Sequence, residues 1–256
     1  MPTFCIDLGN TTVHLAAIAD GRAVWEHSVP TASVASTDSL EAAWDACQTA
    51  GHRPSGISFC SVVPRATEAL RPRLLALGVP FFHLRHDTCP GLALNYPKPS
   101  EIGPDRLANA IGAQAYYGIP SIVVDMGTAV TFDIVTRHGY EGGVIAPGLA
   151  IMTRYLHEQT ALLPALDPAD LAVSSGIGKT TLEAMKLGVA VGFAGMIRAL
   201  LERVREELRH GGHSDPRVIA TGGSAGALPA SWLPEITFDP HVTLLGLAEA
   251  HRRWTV

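Results

Sequence analysis

Charged residues are scarce in this sequence, and there is no surplus of basic ones. Of 256 residues, 17% are charged, and 19 basic residues against 24 acidic ones give a formal net charge of −5. Proteins that hold nucleic acid through bulk charge carry a basic surplus, so this class of partner is excluded. Hydrophobic residues make up 47% of the chain, which predicts a substantial core and excludes a disordered protein.

Clustered metal ligands and paired cysteines are also missing. The four cysteines, at positions 5, 47, 60 and 89, lie far apart, and the eleven histidines have no ligand spacing. The pattern excludes a zinc site and a disulfide framework. It is typical of buried thiols in a reducing compartment, and we therefore expect a cytoplasmic protein.

A long hydrophobic run and a leader segment are the third absence. The N-terminus has no basic region and enters a strand directly, which does not fit a secretory signal. The longest uncharged helical candidate, Leu187–Ile197, is too short to span a bilayer. We expect no membrane partner.

Two stretches of the chain share one pattern, an apolar strand followed by Asp-x-Gly, small residues and a second strand. The first begins its turn at Asp7 and the second at Asp125, 118 positions later (125 − 7). Each pattern alone is typical of an ordinary hairpin turn. The pair favours an internal duplication with two phosphate-binding turns that face each other across a cleft. No Walker loop is present, because Gly176-Ile-Gly-Lys-Thr180 lacks the full spacing.

The remaining elements are predicted from hydrophobic periodicity and from cap residues. Residues 139–148 are read as a turn-rich stretch because they contain four glycines and a proline. We predict strands over 3–8, 12–19, 22–29, 56–63, 79–84, 121–125, 129–136 and 216–221, and a strand or loop over 235–238. We predict helices over about 38–50, 64–77, 104–117, 148–161, 180–209 and 244–253.

The segment Gly103-Pro104-Asp105-Arg106 opens one of these helices. Asp105 falls in the first turn, where it is either an ordinary acid at a helix start or a base that accepts a hydroxyl proton. Arg106 is either a solvated helix charge or a clamp for a substrate carboxylate.

Taken in order along nearly the whole chain, the motifs resemble those of the type III pantothenate kinases. Several ordered motifs are far more specific than any single one. They are Asp7-Leu-Gly-Asn-Thr11, Cys60-Ser-Val-Val-Pro64, Tyr96-Pro97, Glu101-Ile-Gly-Pro-Asp-Arg106, Asp125-Met-Gly-Thr-Ala-Val-Thr-Phe-Asp133, Gly142-Gly-Val-Ile-Ala-Pro-Gly148, Ile177-Gly-Lys-Thr-Thr181, Ala184-Met185, Thr221-Gly-Gly223 and Leu244-Leu-Gly-Leu247.

The resemblance implies an α/β chain with the duplicated actin-like, Hsp70-like ATPase fold, built from ribonuclease H-like halves around a central cleft. Residues 1–118 are expected to form the first half, with the first phosphate loop and the Gly103–Arg106 segment. Residues 119–256 are expected to form the second half, with the second loop. The resemblance also implies phosphorylation of the pantothenate hydroxyl by ATP, the first step toward coenzyme A, and a homodimer.

Site residues follow from the same resemblance, position by position. Asp105 matches the proton acceptor, and Asp125 matches the ligand of a monovalent cation, K⁺ or NH₄⁺, with Mg²⁺ expected beside ATP. The pantothenate contacts match Tyr96, Gly103, Pro104, Asp105, Arg106 and Thr180. The ATP contacts match Asp7, Leu8, Gly9, Asn10, Thr11, Thr12, Val13, His14 and Thr128.

The sequence departs from the family at two of these positions. Pro104 stands where a smaller residue is usual, and His14 stands where some members carry Lys, so no cationic phosphate contact is predicted there. Two alternative functions stay open, since fold does not fix function. One is a catalytically silent ATP-binding regulator, and the other is a different small-molecule kinase of the same superfold.

Overall fold

The structure is a computed structural model that describes residues 1–172, 175–232 and 235–255. The strands are β1 Thr3–Leu8, β2 Thr12–Ala19, β3 Arg22–Pro30, β4 Ile57–Ser61, β5 Phe81–His83, β6 Ser121–Met126, β7 Ala129–Thr136, β8 Gly139–Pro147, β9 Arg217–Thr221 and β10 Thr237–Phe238. The α-helices are α1 Thr31–Val34, α2 Ser39–Thr49, α3 Pro64–Ala76, α4 Pro104–Tyr116, α5 Leu149–Glu158, α6 Thr181–His210 and α7 Val242–Trp254.

The described strands form two sheets of five. The first has the order β3-β2-β1-β4-β5. Strand β2 is antiparallel to both β1 and β3, β4 is parallel to β1, and β5 is parallel to β4. The second has the order β10-β9-β6-β7-β8. The three strands predicted before residue 30 are confirmed to within one residue.

Strand β1 is buried on both faces, and its alternating side chains enter two different cores. Phe4, Ile6 and Leu8 pack with side chains of α2 and α3, while Cys5 packs with side chains of α4 and α7. Since side chains alternate along a strand, Asp7 lies on the same face as Cys5. The fold therefore directs the acid of the first Asp-x-Gly pattern toward α4.

Helix α7 packs closely against α4. A Cβ added at Gly246 would lie 1.8 Å from the carbonyl oxygen of Ala108, and one at Gly112 would lie 2.3 Å from that of Val242. Glycine at both positions lets the two backbones approach each other. The C-terminal helix thereby belongs to the core that positions the start of α4.

The chain divides into two compact units. Unit 1 comprises residues 1–121, 133–142 and 241–256, and unit 2 comprises residues 122–132 and 143–240. Unit 1 holds the first sheet with α1 to α4 and α7, and unit 2 holds α5 and α6. The sequence predicted a different kind of division, into duplicated halves over 1–118 and 119–256, and that division stays a prediction.

One sequence-based expectation is wrong. Residues 139–147 form the nine-residue strand β8 instead of a turn-rich stretch. Its glycines at 139 and 142 adopt positive φ angles within the strand, which is why glycine content misled the prediction. Helix α6 is 30 residues long, and by length and composition alone it is the one described helix that could cross a membrane; 33% of its apolar window is buried.

Candidate functional site

The first Asp-x-Gly pattern forms the tight turn between β1 and β2. Asp7 pairs with His14 and Leu8 with Val13, so residues 9–12 make the turn. The Gly9 amide donates to the Thr12 carbonyl at 3.1 Å and closes it. Two of the predicted ATP contacts, Asn10 and Thr11, lie exposed at its tip.

Thr31, at the start of α1, supports this turn from behind. Its hydroxyl donates to the Gly9 carbonyl at 2.7 Å, and its amide donates to the Thr11 carbonyl at 3.0 Å. Thr31 is buried, with 8% of its surface exposed. Sequence reasoning missed this residue, because it lies 22 positions from Gly9 and carries no motif.

Asp7 is held by a buried thiol. The Cys60 Sγ donates to the Asp7 Oδ1 at 3.2 Å, and Cys60 has no exposed surface. Burial, followed by the charge of Asp7, raises the pKa of the Cys60 thiol well above its usual range. The thiol therefore stays protonated and acts as a donor that fixes the orientation of the Asp7 carboxylate.

The second Asp-x-Gly pattern forms the turn between β6 and β7, and glycines from elsewhere in unit 2 contact its backbone. A Cβ at Gly148 would lie 2.2 Å from the Thr128 carbonyl oxygen. A Cβ at Gly222 would lie 2.6 Å from Met126 backbone atoms and 2.7 Å from the Asp125 Oδ1. These approaches explain the glycines of two motifs, and they position Thr128 and Asp125.

The donors in this turn suit a hard cation. Within residues 1–172, 175–232 and 235–255, no group of three or more His, Cys, Asp or Glu side chains could hold a metal ion. Asp125 supplies a carboxylate, and the carbonyl groups of Gly127 and Thr128 belong to the same turn. Oxygen donors of this kind fit K⁺ or a similar hard cation and do not fit zinc. Mg²⁺ is usually held by one or two carboxylates together with the substrate's phosphates, so the residues present also fit Mg²⁺.

Helix α4 begins with the predicted substrate segment. Gly103 is the N-cap residue, Pro104 occupies the first helical turn, and the Asp105 Oδ1 accepts the amide N–H of Arg106 at 2.8 Å. A Cβ at Gly103 would lie 2.4 Å from the Asp105 Oδ1, so glycine leaves room for this carboxylate. Proline at 104 suits the helix start and leaves Asp105 in the first turn.

Asp105 is half-buried, and burial raises its pKa above the ordinary value. The Arg106 N–H and the Arg106 charge oppose this shift. A carboxylate with a raised pKa is a better proton acceptor.

A buried carboxylate lies beneath Arg106. The Arg106 Nε donates to the Asp133 Oδ1 at 2.6 Å, and Asp133 is completely buried. Tyr140 Oη donates to the same oxygen at 3.2 Å, while Asn109 Nδ2 donates to Asp133 Oδ2 at 3.1 Å. Burial raises the pKa of Asp133 to about 6, and the Arg106 charge opposes the rise. Asp133 ends the second Asp-x-Gly motif, but its contact with α4 was not predicted.

Tyr96 and Arg106 both contact Tyr140. The Arg106 guanidinium carbon lies 5.9 Å from the centre of the Tyr140 ring, and the Tyr96 and Tyr140 ring centres lie 6.2 Å apart. A Cβ at Gly142 would lie 3.3 Å from the Tyr96 ring, so glycine leaves room for that ring. The structure therefore brings together the predicted pantothenate contacts of unit 1.

Thr180 has a structural role of its own in unit 2. It is the N-cap of α6, and its hydroxyl accepts the Glu183 amide while the Glu183 carboxylate accepts the Thr180 amide. The side chain is exposed at the start of the helix. Its contact with pantothenate stays a prediction.

The predicted site residues are thus distributed over both units. Unit 1 holds the first turn, Tyr96 and the segment 103–106, and unit 2 holds Asp125, Thr128 and Thr180. The pairing of the two turns across a cleft stays a prediction.

Comparisons with known proteins now give this geometry a context. The family model described as "Type III pantothenate kinase" matches residues 3–203. A type III pantothenate kinase from Akkermansia muciniphila is 48% identical over 200 residues, which cover 77% of this chain and 78% of the relative.

Solved structures show the same fold at low identity. A conserved putative Baf family transcriptional activator from Campylobacter jejuni has a TM-score of 0.62 at 19% identity, with 97% of each chain covered. A ROK family glucokinase from Streptomyces griseus, solved with glucose and AMPPNP, has a TM-score of 0.55 at 14% identity, with 97% of this chain and 98% of that chain covered. The chain therefore has the duplicated α/β fold of the actin-like ATPases, as predicted.

Proposed function

This chain belongs to the type III pantothenate kinase family, and from this premise we infer that it transfers the γ-phosphoryl group of ATP to the hydroxyl of pantothenate. The product is 4′-phosphopantothenate, and the reaction is the first step of coenzyme A biosynthesis. Such a reaction uses the ATP pool of the cytoplasm, where we expect the enzyme to act.

The observation that carries this function is the position of Asp105. It lies in the first turn of α4 with a raised pKa, and Arg106 is the next residue. Asp105 accepts the proton of the pantothenate hydroxyl, whose oxygen forms a bond to the γ-phosphorus. The bond from that phosphorus to the bridging oxygen breaks, and ADP leaves with the electron pair.

The two turns hold ATP in this proposal. Asp7 to His14 line the first turn, and Thr128 lies in the second. Main-chain N–H groups in tight turns bind phosphate oxygens. Thr31 and Cys60 keep the first turn in shape, and Gly148 and Gly222 do the same for the second.

Two cations complete the nucleotide site. Asp125 would hold K⁺ or NH₄⁺, and Mg²⁺ would accompany the phosphates near Asp7. Cations of this kind neutralise charge that develops on the phosphoryl oxygens. The residues themselves bind and orient the nucleotide, and the proton passes to Asp105.

Pantothenate would lie against the start of α4. Arg106 meets its carboxylate, and Tyr96, Gly103 and Pro104 line the same place, with Thr180 at the start of α6 as the further contact. Arginine suits a carboxylate because its planar fork donates two parallel hydrogen bonds.

A homodimer formed through α6 and neighbouring surface of unit 2 is the proposed assembly. Val191 and Tyr155 are each 60% exposed and Ile145 is 67% exposed, which is unusual for large apolar side chains. Among the described residues, nothing lies within 4 Å of a Cβ added at Gly188 or Gly195, so packing within the chain does not require these glycines. A second copy of the chain would cover this surface. Sedimentation of wild type and of Val191→Asp tests the assembly, because an aspartate in the interface should dissociate the dimer. The experiment is run without detergent, which a membrane-bound protein would require.

A substrate panel with a coupled ADP assay tests the function. Purified protein with ATP, Mg²⁺ and K⁺ should release ADP with pantothenate and should lose most of this activity when Na⁺ replaces K⁺. ADP release with other alcohols and none with pantothenate would assign a different kinase, and no ADP release with any alcohol would indicate a silent regulator.

A further inference from the structure

The buried cluster under Arg106 consists of Asp133, Asn109, Tyr140 and Thr243. We propose that Asp133 is a positioning residue, which fixes the Arg106 guanidinium to receive a carboxylate and so sets the preference for pantothenate over neutral analogues. The proposal rests on the proposed function, in which Arg106 contacts pantothenate.

The geometry restrains the Arg106 side chain in two ways. Its Nε is bonded to the Asp133 Oδ1 at 2.6 Å, and its guanidinium carbon lies 5.9 Å from the centre of the Tyr140 ring. Because a guanidinium is planar, one bond at Nε and one ring contact together define the directions of its two Nη groups. A flexible side chain is thereby fixed before substrate binds, which lowers the entropy cost of binding.

The cluster fixes the Asp133 carboxylate in turn. Thr243 donates to the Asn109 Oδ1 at 2.6 Å, so the amide group of Asn109 faces Asp133 and donates to its Oδ2. Tyr140 donates to the Oδ1. Both oxygens of the buried carboxylate therefore have donors, which lie on α4 and β8. Thr243 on α7 in turn fixes the orientation of one of these donors, Asn109.

Stability alone does not account for a charge in this place. Asp133 is fully buried, and 11% of the Arg106 side chain is exposed. A buried ion pair is often replaced by apolar side chains without loss of stability, so its presence indicates a task that needs charge and direction. Tyr140 also contacts Tyr96, another predicted pantothenate contact of unit 1, and so the cluster supports both Arg106 and Tyr96.

Asp133→Asn tests the proposal, because it removes the charge and keeps the shape. The KM for pantothenate should rise roughly 10- to 100-fold, the range expected when a charged hydrogen bond is lost, while the KM for ATP changes by less than about twofold. Selectivity should also fall. The ratio of kcat/KM for pantothenate to that for its alcohol analogue, which has a hydroxymethyl group in place of the carboxylate, should drop about tenfold or more.

Ser58→Ala is the matched control. Ser58 is also fully buried in unit 1, and its hydroxyl donates to the Leu247 carbonyl at 2.7 Å. Its loss should lower stability and leave the KM values and the selectivity ratio unchanged. A role of Asp133 in stability alone would make the two variants behave alike, and that result would overturn the proposal.

A double-mutant cycle separates positioning from a direct role of Asp133. In an Arg106→Gln background, Asp133→Asn should change the KM for pantothenate by less than about twofold, because its effect passes through Arg106. An undiminished effect in that background contradicts the proposal. If Asp133→Asn does not fold, Tyr140→Phe decides the question, since it removes only the hydroxyl and should raise the KM about threefold. Wild-type protein that fails to phosphorylate pantothenate refutes the proposed function, whereas active wild type with an unchanged Asp133→Asn variant refutes only this proposal.

Discussion

The two Asp-x-Gly turns have the same sequence pattern and different supports. The first turn is held by side chains, since Thr31 donates to its Gly9 carbonyl and Cys60 donates to the Asp7 carboxylate. The second is held by close approach of backbone at Gly148 and Gly222. A duplicated pattern therefore does not imply duplicated surroundings.

The difference lies in what each turn tolerates. Removal of the donor from such a hydrogen bond should lower the unfolding free energy by only about 1 kcal/mol, because the carbonyl can still find another partner. Where glycine packs against backbone, an added Cβ would overlap backbone atoms, and these cannot shift easily in a closely packed region. We expect the second turn to be the more sensitive of the two to substitution.

Between the two turns, the larger effect is expected for the glycines of the second. Gly148→Ala places a Cβ 2.2 Å from the Thr128 carbonyl oxygen, and Gly222→Ala adds left-handed strain at φ +89°. Each should cost roughly 1–3 kcal/mol of unfolding free energy and raise the KM for ATP about tenfold.

Gly226→Ala is the control within the same loop, since no described atom lies within 4 Å of its added Cβ. Denaturant unfolding and ATP titrations should separate the three variants. Equal effects at positions 222 and 226 would show that the close approach is not the cause.

A second prediction concerns pH and the start of α4. Unlike the two turns, this segment is held by an ion pair, between Arg106 and Asp133. Asp133 faces Arg106 and Asp105 from α4 and Tyr140 from β8, and its pKa is about 6 against an ordinary 3.8. Activity that depends on ionised Asp133 should therefore fall as pH decreases through about 6. The measurement is kcat/KM for pantothenate as a function of pH.

The sign for stability is the opposite. A carboxyl with a raised folded pKa binds more protons when folded than when unfolded between pH 4 and 6, so its contribution to stability is lost as pH rises through that window. The unfolding free energy of Asp133→Asn should lack this dependence on pH. A wild type and variant with parallel pH dependences would show that Asp133 does not titrate as described.

The smallest effect is expected at the first turn. Thr31→Val removes the hydroxyl that donates to Gly9 and should cost about 1 kcal/mol, with a rise of a few-fold in the KM for ATP. Ser33→Ala, on the same short helix, removes an exposed bond to the Pro30 carbonyl and is the control. An effect of Thr31→Val larger than that of Gly148→Ala would reverse the comparison between the turns.

Local patterns predicted most of the strands and helices, and the resemblance to a known family supplied the roles expected of the site residues. The strands around Asp7 and Asp125 and the start of α4 follow from alternation, turn residues and Pro104, all of which act within a few positions. Strand β8 was missed because glycines that make room for Tyr96 and for the Ala93 carbonyl look like turn residues in sequence.

The supports of the site were not predictable in the same way. The bond from Arg106 to Asp133 spans 27 positions, and that from Thr243 to Asn109 spans 134. Nothing in a single sequence marks which buried polar groups meet once helices and strands pack. The resemblance to a known family identified Asp105 and Arg106 as site residues. Only the structure shows which contacts hold them in place.

The central claim is that the turns hold ATP while Asp105 accepts the proton. Phosphoryl transfer by Asp105→Asn in a single turnover, with saturating ATP and pantothenate, tests it most directly. The account predicts a rate at least about 100-fold lower than wild type, the usual effect of losing a general base, with unchanged ATP affinity and no loss of unfolding free energy. A rate within about tenfold of wild type, or a loss of ATP binding that explains the whole decrease, would contradict it.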